Sequence, residues 1–85
     1  MEIHTSAHFQ RRYKKLSREI KDKAKKQEKL FIANRFDSRL DTHKLHGKDA
    51  DKWAYSIGYT YRIKFLFLGG EKILYLDIGT HDEVY

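Results

Sequence analysis

The sequence predicts one α+β domain over residues 1–85, two N-terminal helices packed on an antiparallel sheet. Three observations predict it. Apolar residues recur at three- and four-residue steps from about Ser6 to Asn34, the period of an amphipathic helix. The back half carries three runs of strand character. Glycine turns separate those runs, which favours a meander of neighbouring strands. Helices followed by strands point to an α+β layer architecture, because neither the helical stripe nor the sheet can bury its apolar side alone.

Glu2-Ile3-His4 reads as a short edge strand. In the helical stretch, Phe9, Tyr13, Leu16, Ile20, Ala24, Leu30 and Phe31 form the apolar stripe, and lysines and arginines fill the other positions. Ser17 interrupts the run as an N-cap, and Glu19 follows in the first turn, where the helix dipole favours an anion. The result is a hairpin of two helices, 6–15 and 18–34, rather than one bent helix. The chain from Arg35 to Asp51 has no clear period and reads as a loop anchored by Phe36, Leu40 and Leu45.

Three strands follow. Trp53, Tyr55 and Ile57 alternate with Ala54 and Ser56. Tyr61, Ile63, Phe65 and Phe67 alternate with Arg62, Lys64, Leu66 and Leu68. Ile73 to Ile78 is apolar except for Asp77. Gly58-Tyr59-Thr60 joins the first pair and Gly69-Gly70-Glu71 the second. Trp53, Tyr55, Phe65 and Phe67 are expected in the core.

The net charge is +6, and its placement is uneven. Arg11 to Lys29 holds ten Lys and Arg against Glu19, Asp22 and Glu28, a net of +7, so the rest of the chain is nearly neutral. Such a segment suits a polyanion or an acidic protein partner. The stripe it flanks is needed for the core, which ranks a membrane surface lower. With no cysteine there is no disulfide or thiolate metal site. No signal peptide or transmembrane run is present in the sequence, so a cytoplasmic location is expected.

The chemistry gathers at one end of the sheet. The chain runs from the last strand through a glycine turn at Gly79 to His81 and the aromatic Tyr85. Counting outward from Gly69-Gly70, Arg62 falls near Asp77 or Ile78, close to His81. The loop from His43 to Lys48 leads into the first strand and reaches the same end. Phosphodiester cleavage needs a base for the 2′-hydroxyl, an acid for the leaving 5′-oxygen and a cation for the developing charge. Imidazoles and a forked guanidinium match those needs. The blander reading pairs Arg62 with Asp77 across the hairpin and packs Tyr85 on the core. His43, His46 and His81 are also zinc-ligand types, but a spacing this common by chance leaves no metal site expected.

Thr42-His43-Lys44-Leu45-His46-Gly47, Trp53-Ala54, Tyr61-Arg62-Ile63 and Ile78-Gly79-Thr80-His81-Asp82-Glu83-Val84-Tyr85 resemble the RelE/ParE toxin superfamily of bacterial type II toxin–antitoxin systems. The RelE/YafQ/YoeB-like mRNA interferases are the nearest branch. The resemblance implies a curved antiparallel sheet and an endoribonuclease that cuts mRNA in the ribosomal A site. The RNA's own 2′-hydroxyl is the nucleophile, and no metal or cofactor takes part. It places the strand arginine on Arg62, the C-terminal histidine on His81, the closing aromatic on Tyr85 and the loop histidine on His43. RNA-contacting side chains fall on Lys44, His46 and Lys48. His81 is then the general acid and His43 the base. Some relatives carry an arginine where this chain has Asp77. Either Arg62 supplies the phosphate contact alone, or Asp77 orients Arg62 or His81. The implied partners are a cognate antitoxin, mRNA on the ribosome, and operator DNA only as the toxin–antitoxin complex. Two alternatives keep the fold: a ParE-like toxin acting on DNA gyrase without nuclease chemistry, and a non-catalytic nucleic-acid-binding module.

Overall fold

The computed structural model describes residues 1–85. Strand β1 (Glu2–Thr5) leads into helices α1 (Ala7–Lys14) and α2 (Arg18–Ala33). A short strand β2 (His43–Lys44) precedes β3 (Trp53–Ser56), β4 (Tyr61–Gly69) and β5 (Lys72–Thr80), and a single helical turn, α3 (His81–Val84), follows. The sheet has five strands in the order β1-β5-β4-β3-β2.

Both helices start where an oxygen-bearing cap appears. The Ser6 hydroxyl accepts from the Phe9 N–H at 3.0 Å and the Ser17 hydroxyl from the Ile20 N–H at 3.3 Å. The stripe does what its period predicts. Phe9, Ala24 and Phe31 are buried, with Tyr13, Leu16, Ile20 and Leu30 packed at the margin. Phe31 is the keystone. Its ring stacks on Tyr55 at 4.5 Å and meets Phe65 edge-on at 5.0 Å. Truncating such a side chain costs about 3–5 kcal/mol. Trp53 and Phe67 join the core only partly buried, meeting edge-to-face at 5.2 Å.

The structure corrects four expectations. The sheet is mixed, because β1 pairs parallel with β5 while β2–β3, β3–β4 and β4–β5 are antiparallel. The helical hairpin returns the chain to the side from which β1 left, and that crossover permits a parallel pair. The 35–51 segment is not only loop. It forms two 3-10 turns, Ser38–Leu40 and Gly47–Asp49, and β2, whose His43 pairs with Ala54. Leu40 and Leu45 anchor it as expected, but Phe36 is 56% exposed and only touches Trp53 edge-on. Finally, Gly79 makes no turn. It lies inside β5 and pairs with Arg62.

The β4–β5 register slips between Lys64 and Phe65 and again between Phe67 and Gly69. The partners of Lys64 and Phe65 are Asp77 and Tyr75, so Leu76 is the extra residue of a bulge. The bulge restores Ile78 to the core side after two residues, Leu76 and Asp77, that are not part of the core cluster. The second slip leaves Leu68 extra on β4 and offsets the first, so the Gly69–Lys72 and Arg62–Gly79 pairs share one register. A count anchored on Gly69-Gly70 sets Arg62 opposite Asp77 or Ile78 instead.

Candidate active site

Tyr85 is the centre of the site. Its ring lies 4.2 Å from the His81 ring and 5.8 Å, edge-on, from the His43 ring. Its hydroxyl stands 2.6 Å from His43 Nε2. On the far side of the imidazole, Nδ1 lies 2.8 Å from the Asp41 carbonyl oxygen. A carbonyl only accepts, so Nδ1 carries a proton, and in the neutral ring Nε2 presents its lone pair. The Tyr85 hydroxyl therefore donates to Nε2. Burial raises the Tyr85 pKa, with the Arg62 guanidinium opposing the shift, and the phenol is a neutral donor near neutral pH. Asp41 holds its carbonyl in place from a left-handed conformation, φ 50°, which aspartate tolerates better than most residues.

His81 opens α3 and is exposed. Its backbone N–H donates to the Thr60 carbonyl at 3.0 Å, pinning α3 to the β3–β4 turn. The Glu83 carboxylate accepts from the Thr80 N–H at 2.7 Å, closing the turn from within. That N–H, with Arg12 as a lesser contributor, holds the Glu83 pKa below its ordinary value. Val84 is buried and anchors the helix to the domain.

Arg62 projects from β4. Its Nη1 donates to the Tyr61 carbonyl at 2.9 Å and the Tyr59 carbonyl at 3.4 Å. No carboxylate neutralises it, since Asp77 pairs elsewhere. Arg62, Thr60, Thr80 and His81 line an open hollow of about 440 Å³. A second hollow of about 260 Å³ is lined by His43, Lys44, His46, Asp49 and Tyr85. The structure thus brings His43, His81, Arg62 and Tyr85 together, with Lys44 and His46 beside them. Lys48 is exposed in the Gly47–Asp49 turn and lines neither hollow.

Asp77 orients neither Arg62 nor His81. It is buried against α1, where its Oδ1 lies 3.2 Å from His8 Nε2 and 3.7 Å from Arg12 Nε. Arg12 Nη2 continues to Glu83 at 3.3 Å. A chain of charges thus runs from β5 through α1 to α3, the helix that carries His81 and Tyr85. A Cβ on Gly79 would run into Arg12 Nη2 and stand 2.8 Å from Glu83 Oε1, so glycine leaves room for this tie. Sequence reasoning missed Asp41, Arg12 and Glu83 as supports. Only Glu83 carried a signal, the Thr80-His81-Asp82-Glu83 spacing of a capping box.

The arrangement offers an imidazole whose neutral tautomer is fixed as an acceptor, a second imidazole open to solvent and a guanidinium with no carboxylate partner. Those groups suit proton transfer at a phosphodiester.

No family model matches the chain, and no curated protein matches its sequence. Solved structures do match in fold. YafQ from E. coli strain BL21(DE3) superposes with a TM-score of 0.81 at 16% identity, over 99% of this chain and 97% of that one. A YoeB/ParE toxin from Agrobacterium tumefaciens gives 0.79 at 14% identity, over 95% and 99% of the two chains. In a RelB-RelE antitoxin-toxin complex from Methanococcus jannaschii, the matched chain gives 0.72 at 19% identity, over 96% and 94%. The chain has the fold of the RelE, YafQ and YoeB toxins.

Proposed function

We propose that this chain is the toxin of a toxin–antitoxin system and a ribosome-dependent endoribonuclease. One observation carries the reading: His43 and His81 flank Tyr85, and Arg62 shares a hollow with His81, in a fold shared with toxins of toxin–antitoxin systems. In the proposed reaction His43 Nε2 takes the proton of the 2′-hydroxyl once substrate displaces the Tyr85 hydroxyl. The 2′-oxygen attacks the adjacent phosphorus, and His81 protonates the departing 5′-oxygen. Arg62 holds the charge that builds on the phosphoryl oxygens. The products are a 2′,3′-cyclic phosphate and a free 5′-hydroxyl, and no metal enters the scheme. Lys44 and His46 contact the strand beside His43, and Lys48 contacts RNA from the neighbouring turn. The open hollows hold a substrate loosely, so the ribosome supplies the alignment.

The partner proposed for the free toxin is an antitoxin with an acidic or disordered segment that folds over the basic helices or the site. Operator DNA is met only as the toxin–antitoxin complex. The protein acts in the cytoplasm, where ribosomes are.

Expression of the chain alone, followed by separate readouts of translation and DNA damage, tests the reading. Rapid translation arrest with cut mRNA and intact chromosomes is expected. DNA damage without cut mRNA would replace the nuclease with a gyrase-directed toxin. Binding to RNA with a steep salt dependence and no cut product would leave only a binding module.

A further inference from the structure

A second cationic groove opens across the β3–β4 turn from the hollow that holds Arg62 and His81. Its volume is about 390 Å³. Lys23 and Lys26 of α2, Arg39, Gly58 and Tyr59 line it. The groove is built rather than incidental. Gln27 Nε2 donates to the Ser56 carbonyl at 3.0 Å and the Arg39 carbonyl at 3.3 Å, tying α2 to β3 and to the Ser38–Leu40 turn. Gly58 adopts φ 115°, and a Cβ there would stand 3.5 Å from Lys23 Cδ, so the lysine stem lies along the glycine.

Tyr59 is 98% exposed at the tip of the turn. A ring of that size held in solvent beside cations is a stacking platform for a nucleic-acid base. Its position is not free to drift. The Tyr59 carbonyl accepts from Arg62, and the next carbonyl, of Thr60, accepts from the His81 N–H. Tyr59 lines both the Arg62–His81 hollow and the lysine groove. Two carboxylates temper the charge: Glu19 lies 3.6 Å from Lys23, and Asp37 chelates Arg39 at 2.8 Å. Lys26 has no carboxylate partner, and the local balance stays positive. An acidic peptide would use the cations, but neither the bare ring nor the continuity with Arg62 and His81.

We propose that this groove holds the continuation of the RNA strand whose phosphodiester lies at Arg62 and His81, with Lys26 and Lys23 on phosphates and Tyr59 stacked on a base. The inference rests on the ribonuclease reading above. The test is fluorescence anisotropy of the full chain with 2′-O-methyl RNA, which lacks the nucleophile and stays uncut. Oligomers of about four and about twelve nucleotides bracket a one-site and a two-site footprint. Wild type should bind the longer one more tightly. Tyr59→Ala, which touches both hollows, should weaken the longer oligomer by about 5- to 100-fold and the shorter one by less, and Lys26→Gln should leave the shorter one unchanged. Lys26→Gln should lower the salt slope of the longer oligomer by about 0.7. Both side chains are exposed, and circular dichroism verifies the fold of each variant. Equal binding of the longer oligomer by all three proteins would overturn the proposal. So would competition by polyglutamate that matches RNA and ignores Tyr59→Ala. If the length effect depends on Tyr59 but ribosome-bound mRNA stays uncut, the groove stands and the ribonuclease reading falls. If mRNA is cut but binding shows no length effect, the ribonuclease reading stands and the groove falls.

Discussion

The Tyr85 hydroxyl and His43 Nε2 form the most informative contact in the molecule. It assigns the imidazole's tautomer without reference to substrate, because the Asp41 carbonyl fixes the proton on Nδ1. Tyr85→Phe keeps the ring on His81 and removes only the donor. Because substrate must displace that hydroxyl from Nε2, ribosome-bound cleavage should hold or rise, by at most about tenfold, the worth of one hydrogen bond. His43→Ala should lose about a hundredfold or more, the usual yield of general base catalysis. Single-turnover rates on the same mRNA compare the two. A Tyr85→Phe variant that loses rate as His43→Ala does would place the hydroxyl in the chemistry and contradict its displacement by substrate. At this scale the sequence was informative. That His43, Arg62, His81 and Tyr85 lie at one end of the sheet could be read from residue type and order. Asp41 could not, because its contribution is a backbone carbonyl. Arg12 was indistinguishable from the other cations of a basic helix.

Among the elements, α3 matters most and is the least self-sufficient. A four-residue helix has too few hydrogen bonds to persist alone. It is held by Val84 in the core, by the Thr60 carbonyl and by the Arg12–Glu83 pair. Gly79→Ala drives a methyl into that pair. Cleavage should drop by up to about a hundredfold, as expected for a small displacement of reacting groups, while circular dichroism of the main helices and sheet stays unchanged. A fully active Gly79→Ala would show that the tie is dispensable. The tie also depends on pH. The Glu83 pKa is lowered from 4.5 on folding, so its contribution is complete above 4.5 and is lost as pH falls through the lowered value. Nuclear Overhauser contacts between His81 and Tyr85 should fade in that acid range before the core unfolds. The helices, Ser17 and the meander were legible because period and caps are local signals. The β5 bulge, β2 and the parallel β1 pair were not. They depend on long-range pairing that leaves no pattern in a few residues.

For the whole molecule, the core is largely aromatic. Tyr55 and Tyr75 meet through their hydroxyls at 2.8 Å. Burial pushes both pKa values well above the ordinary 10, and on Tyr75 the neighbouring Tyr55 and the Glu28 carboxylate add to the rise. Unfolded tyrosines ionise near pH 10 while the folded pair cannot, so stability holds below that pH and falls as pH rises above it. Denaturant midpoints measured across that range should decline, and less steeply in Tyr75→Phe. A flat profile would mean that water reaches the pair. The surface divides differently from the core. The excess positive charge lies in α1, α2 and their junction, and the proposed chemistry lies where β4, β2 and α3 meet. Composition alone revealed the first. The second required the fold, since residues 43, 62, 81 and 85 come together only through the sheet.

The most direct test is primer extension on mRNA bound to translating ribosomes, with the antitoxin-free protein and its His81→Ala variant side by side. His81 is exposed and its ring supports no core contact, so the variant should fold as wild type does. The account predicts new cuts in the A-site codon that require the ribosome and vanish with His81→Ala. Equal cutting by both proteins, or none by either, would contradict it.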